Sequence, residues 1–135
     1  MRYVVDPRLL VDVLEGDPER GPKAVKLFEK HRKDILMLAP ISYMALGPAF
    51  MGQKELQDEF LENLGVTVGA GLPLEPLHLG YAAYCAYCKD HPGERGHGVL
   101  DSLYVGAYAL LADGILTRWG ELYRTYFPTL KIIEP

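Results

Sequence analysis

The sequence is short of cysteine and of positive charge. It has two cysteines, Cys85 and Cys88, which are too few for a disulfide framework. The 135-residue chain carries 14 Lys and Arg against 18 Asp and Glu, a formal net charge of −4. A protein that coats nucleic acid non-specifically needs a cationic surface, so that class is excluded. Local cleavage of nucleic acid stays open, because bound metal ions can supply positive charge there.

The chain also lacks a basic and apolar leader and an unbroken membrane span. No charged segment precedes an apolar stretch at the start, so we expect no secretory signal and a reducing, cytoplasmic setting. Residues 35–53 carry no charge and have about the length of a spanning helix. Pro40, Gly47 and Pro48 interrupt them, and proline removes a backbone donor and clashes with the preceding turn. This stretch therefore predicts a buried strand followed by a buried helix, and no membrane partner.

Short apolar runs and amphipathic runs alternate along the whole chain. Hydrophobic residues make up 49% and charged residues 24%, as in ordinary globular proteins, and the length suits one domain over residues 1–135. The apolar runs predict strands at residues 2–6, 35–38, 66–68, 115–117 and 131–133. The amphipathic runs predict helices at residues 7–14, 22–31, from 41 onward, 53–63, 77–89, 99–111 and 120–126. This order predicts an α/β fold with a mostly parallel sheet between two layers of helices.

Two acids stand where such a sheet binds ligands. Asp6 ends the first predicted strand, and Asp101 opens a helix that leads into a later one. Ligands of parallel sheets bind beyond the carboxyl ends of the strands, and two carboxylates that converge there attract a hard divalent cation. The alternative is structural, because Asp101 also suits a helix start and Asp6 also suits a turn.

Four segments in series resemble PIN-domain proteins of the VapC toxin type. They are YVVDPRLLVDVLEG at residues 3–16, LDSLYVGAYAL at 100–110, ILTR at 115–118 and YFPTLKIIEP at 126–135. The resemblance covers nearly the full length and implies a PIN-like three-layer α/β/α sandwich. It also implies a metal-dependent endoribonuclease that uses Mg²⁺ or Mn²⁺, with RNA and an antitoxin protein as partners. Asp6 and Asp101 match two of the family's catalytic, metal-holding acids.

The same resemblance exposes departures from the family pattern. The family site uses about four acids, and two of those positions fall on Ala45 and Trp119. Because carboxylate charge fixes Mg²⁺, a site with half of it is expected to bind metal weakly or not at all. Arg8 follows Asp6 closely and is expected either to pair with it in place of the metal or to contact substrate. Glu121, near the lost acid at 119, is either a substitute metal ligand or a solvated carboxylate.

Other features have both a functional and a structural interpretation. Arg95 and His97 lie in a glycine-rich loop before Asp101 and are candidates for contacting substrate. Tyrosines at 81, 84, 87, 104 and 108 follow helical spacing, which is typical of packing or of a homodimer interface. The Cys85-x-x-Cys88 pair suits small buried helix positions better than a zinc site, since a second pair is missing. The basic group at residues 23, 26, 30, 32 and 33 suits a solvated face or an RNA-backbone contact.

The sequence supports two functions of different classes. In the first, the chain is a degenerate PIN-like protein with weakened or lost nuclease chemistry that serves as a nucleic-acid or protein interaction module. In the second, it is an active Mg²⁺- or Mn²⁺-dependent endoribonuclease toxin built on Asp6 and Asp101. The acids missing at Ala45 and Trp119 favour the first.

Overall fold

The computed structural model describes residues 1–71, 73–92 and 99–135. Strands and helices alternate through these residues. The strands are β1 Arg2–Val5, β2 Ile35–Leu38, β3 Val66–Val68, β4 Gly114–Leu116 and β5 Ile132–Ile133. The helices are α1 Pro7–Leu14, α2 Arg20–Lys30, α3 Pro40–Ala45, α4 Lys54–Asn63, α5 Glu75–Asp90, α6 Leu100–Ala109 and α7 Gly120–Tyr126, with a 3-10 turn at Gly47–Phe50.

The strands form a parallel sheet in the order β3-β2-β1-β4-β5. β1 lies at the centre, with β2 and β4 on either side of it. Val5 of β1 is opposite Leu116 of β4, so both strands end at the same level. The order of the sheet therefore changes direction beside β1, and its carboxyl edge there is where α/β proteins bind ligands.

Side chains of the strands point alternately into two separate cores. Val4, Met37 and Ile115 pack with α5, α6 and α7 on one face. Tyr3, Val5 and their neighbours on β2 pack with α1, α2 and α4 on the other face. This alternation follows from the two-residue period of a strand. It confirms the three-layer α/β/α fold with a parallel sheet.

Two details of helix burial differ from the sequence prediction. Helical periodicity in the sequence predicts that Leu56, Phe60 and Leu61 form the core side of α4. In the structure Leu56 is 49% exposed, while Gln57 beside it is 3% exposed. The Gln57 side chain is buried because its Nε2 donates a hydrogen bond to the Tyr43 backbone carbonyl at 2.7 Å. Cys85, expected to be small and buried, is exposed on α5, and both cysteines are free. In the described parts of the chain, no helix is long and apolar enough to cross a membrane.

Candidate functional site

Asp6 and Thr117 meet at the carboxyl edge of the sheet. Each directly follows the end of its strand, β1 or β4. The Asp6 backbone N–H extends the pairing by one residue, donating to the Leu116 carbonyl at 2.8 Å. The two side chains then come together, and Thr117 Oγ1 donates to Asp6 Oδ2 at 2.7 Å. The parallel register of β1 and β4 therefore brings together two residues that are far apart in the sequence.

The Asp6 carboxylate is fully buried and its acceptor positions are taken. Asp6 caps α1 by accepting from the Arg8 backbone N–H at 3.0 Å, and Pro7 begins the helix without needing such a partner. Besides Thr117, the hydroxyl of Tyr123 donates to Oδ2 at 3.2 Å. The Arg8 guanidinium lies 3.5 Å from Oδ1. A carboxylate offers about four acceptor sites, and these four donors occupy them.

The Arg8 side chain closes the site above Asp6. Its Nη1 contacts Asp6 Oδ1 and also donates to Ser102 Oγ at 3.0 Å. Its Cζ lies 4.2 Å from the centre of the Trp119 ring, a cation–π contact. The Arg8 side chain is 29% exposed and that of Asp6 is 0% exposed. Arg8 thus links the ends of β1 and β4 to the start of α6 with a fixed positive charge.

Asp101 has a different environment from Asp6. It lies in the first turn of α6 and its side chain is exposed. Ser102, the next residue, is buried and accepts the hydrogen bond from Arg8. The start of α6 therefore lies close to the Asp6 site. That Asp6 and Asp101 together hold a metal ion stays a prediction.

The donor set around Asp6 does not fit a resident Mg²⁺ or Mn²⁺. Hard cations of this kind need several free oxygen ligands, and the acceptors of Asp6 are already used. The guanidinium of Arg8 lies 3.5 Å from the carboxylate and repels a second cation. Within residues 1–71, 73–92 and 99–135, no group of three or more His, Cys, Asp or Glu side chains could hold a metal ion.

Tyr123 makes the site sensitive to high pH. Burial, and then the charge of Asp6, raise the pKa of Tyr123 well above its ordinary value of 10.0. The neutral form is therefore favoured in the folded protein. The contribution of neutral Tyr123 to the free energy of unfolding is fully present below about pH 10. It is lost as the pH rises through the raised pKa, by up to about 1.4 kcal/mol per pH unit.

We expect Tyr123→Phe to remove part of this alkaline loss of stability. Below pH 9 the variant should lose about 1 kcal/mol, because one hydrogen bond to Asp6 disappears. Above about pH 10 its free energy of unfolding should fall less steeply than that of the wild type. Urea unfolding from pH 7 to pH 11 measures both effects. Equal slopes for Tyr123→Phe and wild type above pH 10 would contradict the argument.

The remaining predicted site residues fall in different places. Glu121 is exposed in the first turn of α7 and lines a surface cavity with Trp119. Ala45 is exposed at the end of α3. Arg95 and His97 lie outside the described residues. The five basic residues of the group at 23–33 are all exposed.

The sequence prediction missed three partners of Asp6 and Arg8, namely Ser102, Thr117 and Tyr123. A signal for Thr117 was present, since the residue after a strand that neighbours β1 must stand beside Asp6. No comparable signal exists for Ser102 and Tyr123, because their positions depend on how α6 and α7 pack. Asp12 forms a separate salt bridge with Arg118, whose Nε lies 2.6 Å from Asp12 Oδ2.

The comparisons with known proteins support the fold. No protein-family model matches the sequence, and no curated protein matches it. A chain in the crystal structure of VapBC2 from Rickettsia felis, bound to a DNA fragment from their promoter, is similar, with a TM-score of 0.64 and 14% identity. The match covers 99% of this chain and 98% of that one. The chain thus shares its fold with that VapBC2 chain, in agreement with the PIN-like three-layer fold that the sequence resemblance implied.

Proposed function

We propose that this chain is a degenerate VapC-like protein whose metal-dependent nuclease chemistry is weakened or lost, and that it acts as an interaction module. One observation carries the proposal. The guanidinium of Arg8 lies against Asp6, Ser102 and Trp119, at the edge of the sheet where a divalent ion is expected. The fold alone does not license the family's activity, so the residues of the site decide.

The guanidinium of Arg8 places a positive charge at the position where a divalent ion is expected. The positive charge belongs to the chain itself, and a guanidinium is the side chain best suited to pairing with a carboxylate. Its ion pair with buried Asp6 and its contact with the Trp119 ring hold it in place. Trp119 adds bulk where the family has an acid. Both changes act against a second cation.

Metal binding and RNA cleavage test the proposal directly. We expect calorimetric titration with Mn²⁺ to show no site tighter than millimolar, and labelled RNA to survive incubation with Mg²⁺ or Mn²⁺. The result that overturns the proposal is cleavage by the wild type that Asp6→Asn and Asp101→Asn each abolish. The chain would then be an active endoribonuclease toxin that uses both acids.

The partners we propose are RNA, an antitoxin protein and a second copy of the chain. The similar solved structure is a VapBC2 assembly on promoter DNA, which supports a small partner protein of the antitoxin kind. A reducing cytoplasm suits Cys85 and Cys88, since both are free. We propose that residues 1–135 act in these contacts as one domain.

The α5–α6 face supports the homodimer. Leu77 is 55% exposed, Tyr81 73% and Leu100 51%, and they border a shallow cavity of about 160 Å³ with Tyr84 and Tyr104. An exposed apolar face with aromatic residues is typical of a protein interface, and two-fold dimers are the commonest oligomers.

Light scattering at micromolar protein should therefore give about twice the 15.1 kDa of one chain. We expect Tyr81→Glu to shift the mass to that of a monomer, because a charge in an apolar interface must be desolvated. Met44→Glu, at a residue 70% exposed on α3, is the control and should stay dimeric. A wild-type mass near 15.1 kDa contradicts the dimer.

A further inference from the structure

A small aromatic cavity lies next to the Asp6 site. It has a volume of about 200 Å³ and is formed between the end of α5 and helix α7. Its described lining is aromatic for the most part, with Leu122, Thr125 and Glu121 beside the rings of Tyr87, His91, Trp119 and Tyr126. Trp119 belongs to both the cavity and the Asp6 site, since its ring also makes the cation–π contact with Arg8. The cavity therefore adjoins the carboxyl edge of the sheet.

The rings of this cavity are held by contacts with one another. Tyr87 and His91 are stacked, with ring centres 4.2 Å apart and planes 18° apart. The Tyr126 ring lies 5.6 Å from Tyr87 at 55°, and its hydroxyl donates to Asp90 at 2.9 Å. His91 Nδ1 bonds the Tyr87 carbonyl at 3.0 Å, which fixes the orientation of the imidazole. The cavity wall is thus preorganised, with flat aromatic groups already in position.

The size and chemistry of the cavity match one flat heterocycle. Pockets for drug-sized ligands occupy roughly 300–1,000 Å³, so this smaller space suits a single ring system. Unpaired bases stack on aromatic side chains, with about 1–3 kcal/mol per base. The exposed carboxylate of Glu121 is an acceptor, and carboxylates accept from the amino group of cytosine.

We infer that this cavity binds one unpaired nucleobase with an exocyclic amino group, stacked on the aromatic wall and hydrogen-bonded to Glu121. The inference rests on the proposed function as an interaction module, and it names the nucleic-acid ligand of that module. None of the described residues that line the cavity is Lys or Arg, and Glu121 is negative. Recognition therefore goes through the base, which fits a chain whose net charge is −4.

The single tryptophan gives a direct signal for binding. Trp119 is the only tryptophan of the chain, so its fluorescence reports on this cavity and on the adjoining contact with Arg8. Cytidine and uridine are the matched probes, because they are uncharged pyrimidine nucleosides that differ only at the C4–N3 edge. Cytidine has a C4 amino group and an unprotonated N3, whereas uridine has a C4 carbonyl and an N3–H. We expect cytidine to quench Trp119 in a saturable manner and to bind about tenfold more tightly than uridine. Raising the salt concentration from 50 to 200 mM should change the affinity little, since no phosphate takes part.

Two variants of the cavity and one control variant locate the effect. Glu121→Ala should lower cytidine affinity about tenfold and leave that of uridine nearly unchanged, because only the amino group loses its acceptor. Glu62→Ala, at an exposed position of α4, should leave both affinities unchanged. Tyr87→Ala should weaken both nucleosides by about tenfold or more. Circular dichroism checks that it folds, and Glu121→Ala tests the inference independently of that result.

Oligonucleotides separate the two sources of such a base. If the ligand is a base within a strand, oligo(dC) should bind more tightly than cytidine and more tightly than oligo(dU). Equal affinity of cytidine and oligo(dC) would identify the free nucleoside as the ligand, with the same contacts. The absence of saturable quenching by any of these probes overturns the inference, as does equal binding of cytidine and uridine. RNA cleavage by the wild type overturns only the proposed function, so the two failures are distinguishable.

Discussion

Replacing Asp6 by Asn should destabilise the protein by about 3 kcal/mol, whereas Asp101→Asn should change its stability by less than about 0.5 kcal/mol. Asp6 is fully buried and receives donors on both oxygens. An amide in its place must turn its NH₂ group against the donors from Arg8 or against the Thr117 and Tyr123 hydroxyls. The guanidinium of Arg8 also loses its anion. Asp101 is exposed, so its loss removes little.

The sign of this change separates two kinds of site. Where several carboxylates repel one another, neutralising one relieves the repulsion and raises the stability of the metal-free protein. Asp6 has the Arg8 guanidinium and two hydroxyl groups as neighbours, so neutralising Asp6 should lower the stability of the metal-free protein. The expected fall in Tm is about 10 °C for a chain of this size. Urea unfolding and thermal scans at pH 7 in EDTA measure it. A stabilised Asp6→Asn would show that the contact with Arg8 does not hold the carboxylate in solution.

Removing Arg8 and restoring two acids should create a metal site. We expect the variant Arg8→Ser, Ala45→Glu, Trp119→Asp to bind Mn²⁺ at least tenfold more tightly than the wild type. A unit charge pair at 4 Å is worth about 4 kcal/mol at an effective dielectric constant of 20, so tenfold, or about 1.4 kcal/mol, leaves ample room for desolvation. Calorimetry measures the affinity, and a rise in Tm with added Mn²⁺ confirms that the folded state binds the ion.

Partial variants show which change matters. Ala45→Glu with Trp119→Asp restores the acids but keeps the guanidinium beside Asp6, so its gain should be smaller than that of the triple variant. Arg8→Lys keeps a positive charge beside Asp6 and serves as the control for the removal of that charge. If the acids alone give the full gain, Arg8 is not the group that excludes the metal.

Local patterns in the sequence were enough to predict most of the fold. Pro7 marks the start of α1 and Gly16 follows its end. The structure gives this helix the predicted residues 7–14. The uncharged stretch at 35–53 begins with strand β2, as expected, but the expected buried helix is wrong. A short helix and a 3-10 turn follow the strand, and Met44 is 70% exposed and Met51 80% exposed. Leu56 was misassigned because periodicity alone does not reveal that Gln57 can bury itself with a backbone hydrogen bond.

The candidate site was less predictable than the fold. Pairing of Arg8 with Asp6 was an expectation because the two are close in sequence, and the structure places them 3.5 Å apart. Thr117 and Tyr123 are more than a hundred residues away from Asp6, and only the finished packing of β4 and α7 brings their hydroxyls to it. Such contacts have no sequence period, so composition and spacing cannot reveal them.

Arg8 lies two residues after Asp6 on the same chain, and this position decides whether the guanidinium can leave Asp6. A cation delivered by a separate partner leaves when that partner is diluted or degraded. A tethered cation has a high and constant effective concentration, so closure is independent of how much of any other protein is present. The same turn that begins α1 holds it there. Under the proposed function, nuclease activity that is blocked in this way would return by mutation of this chain and not by turnover of a partner.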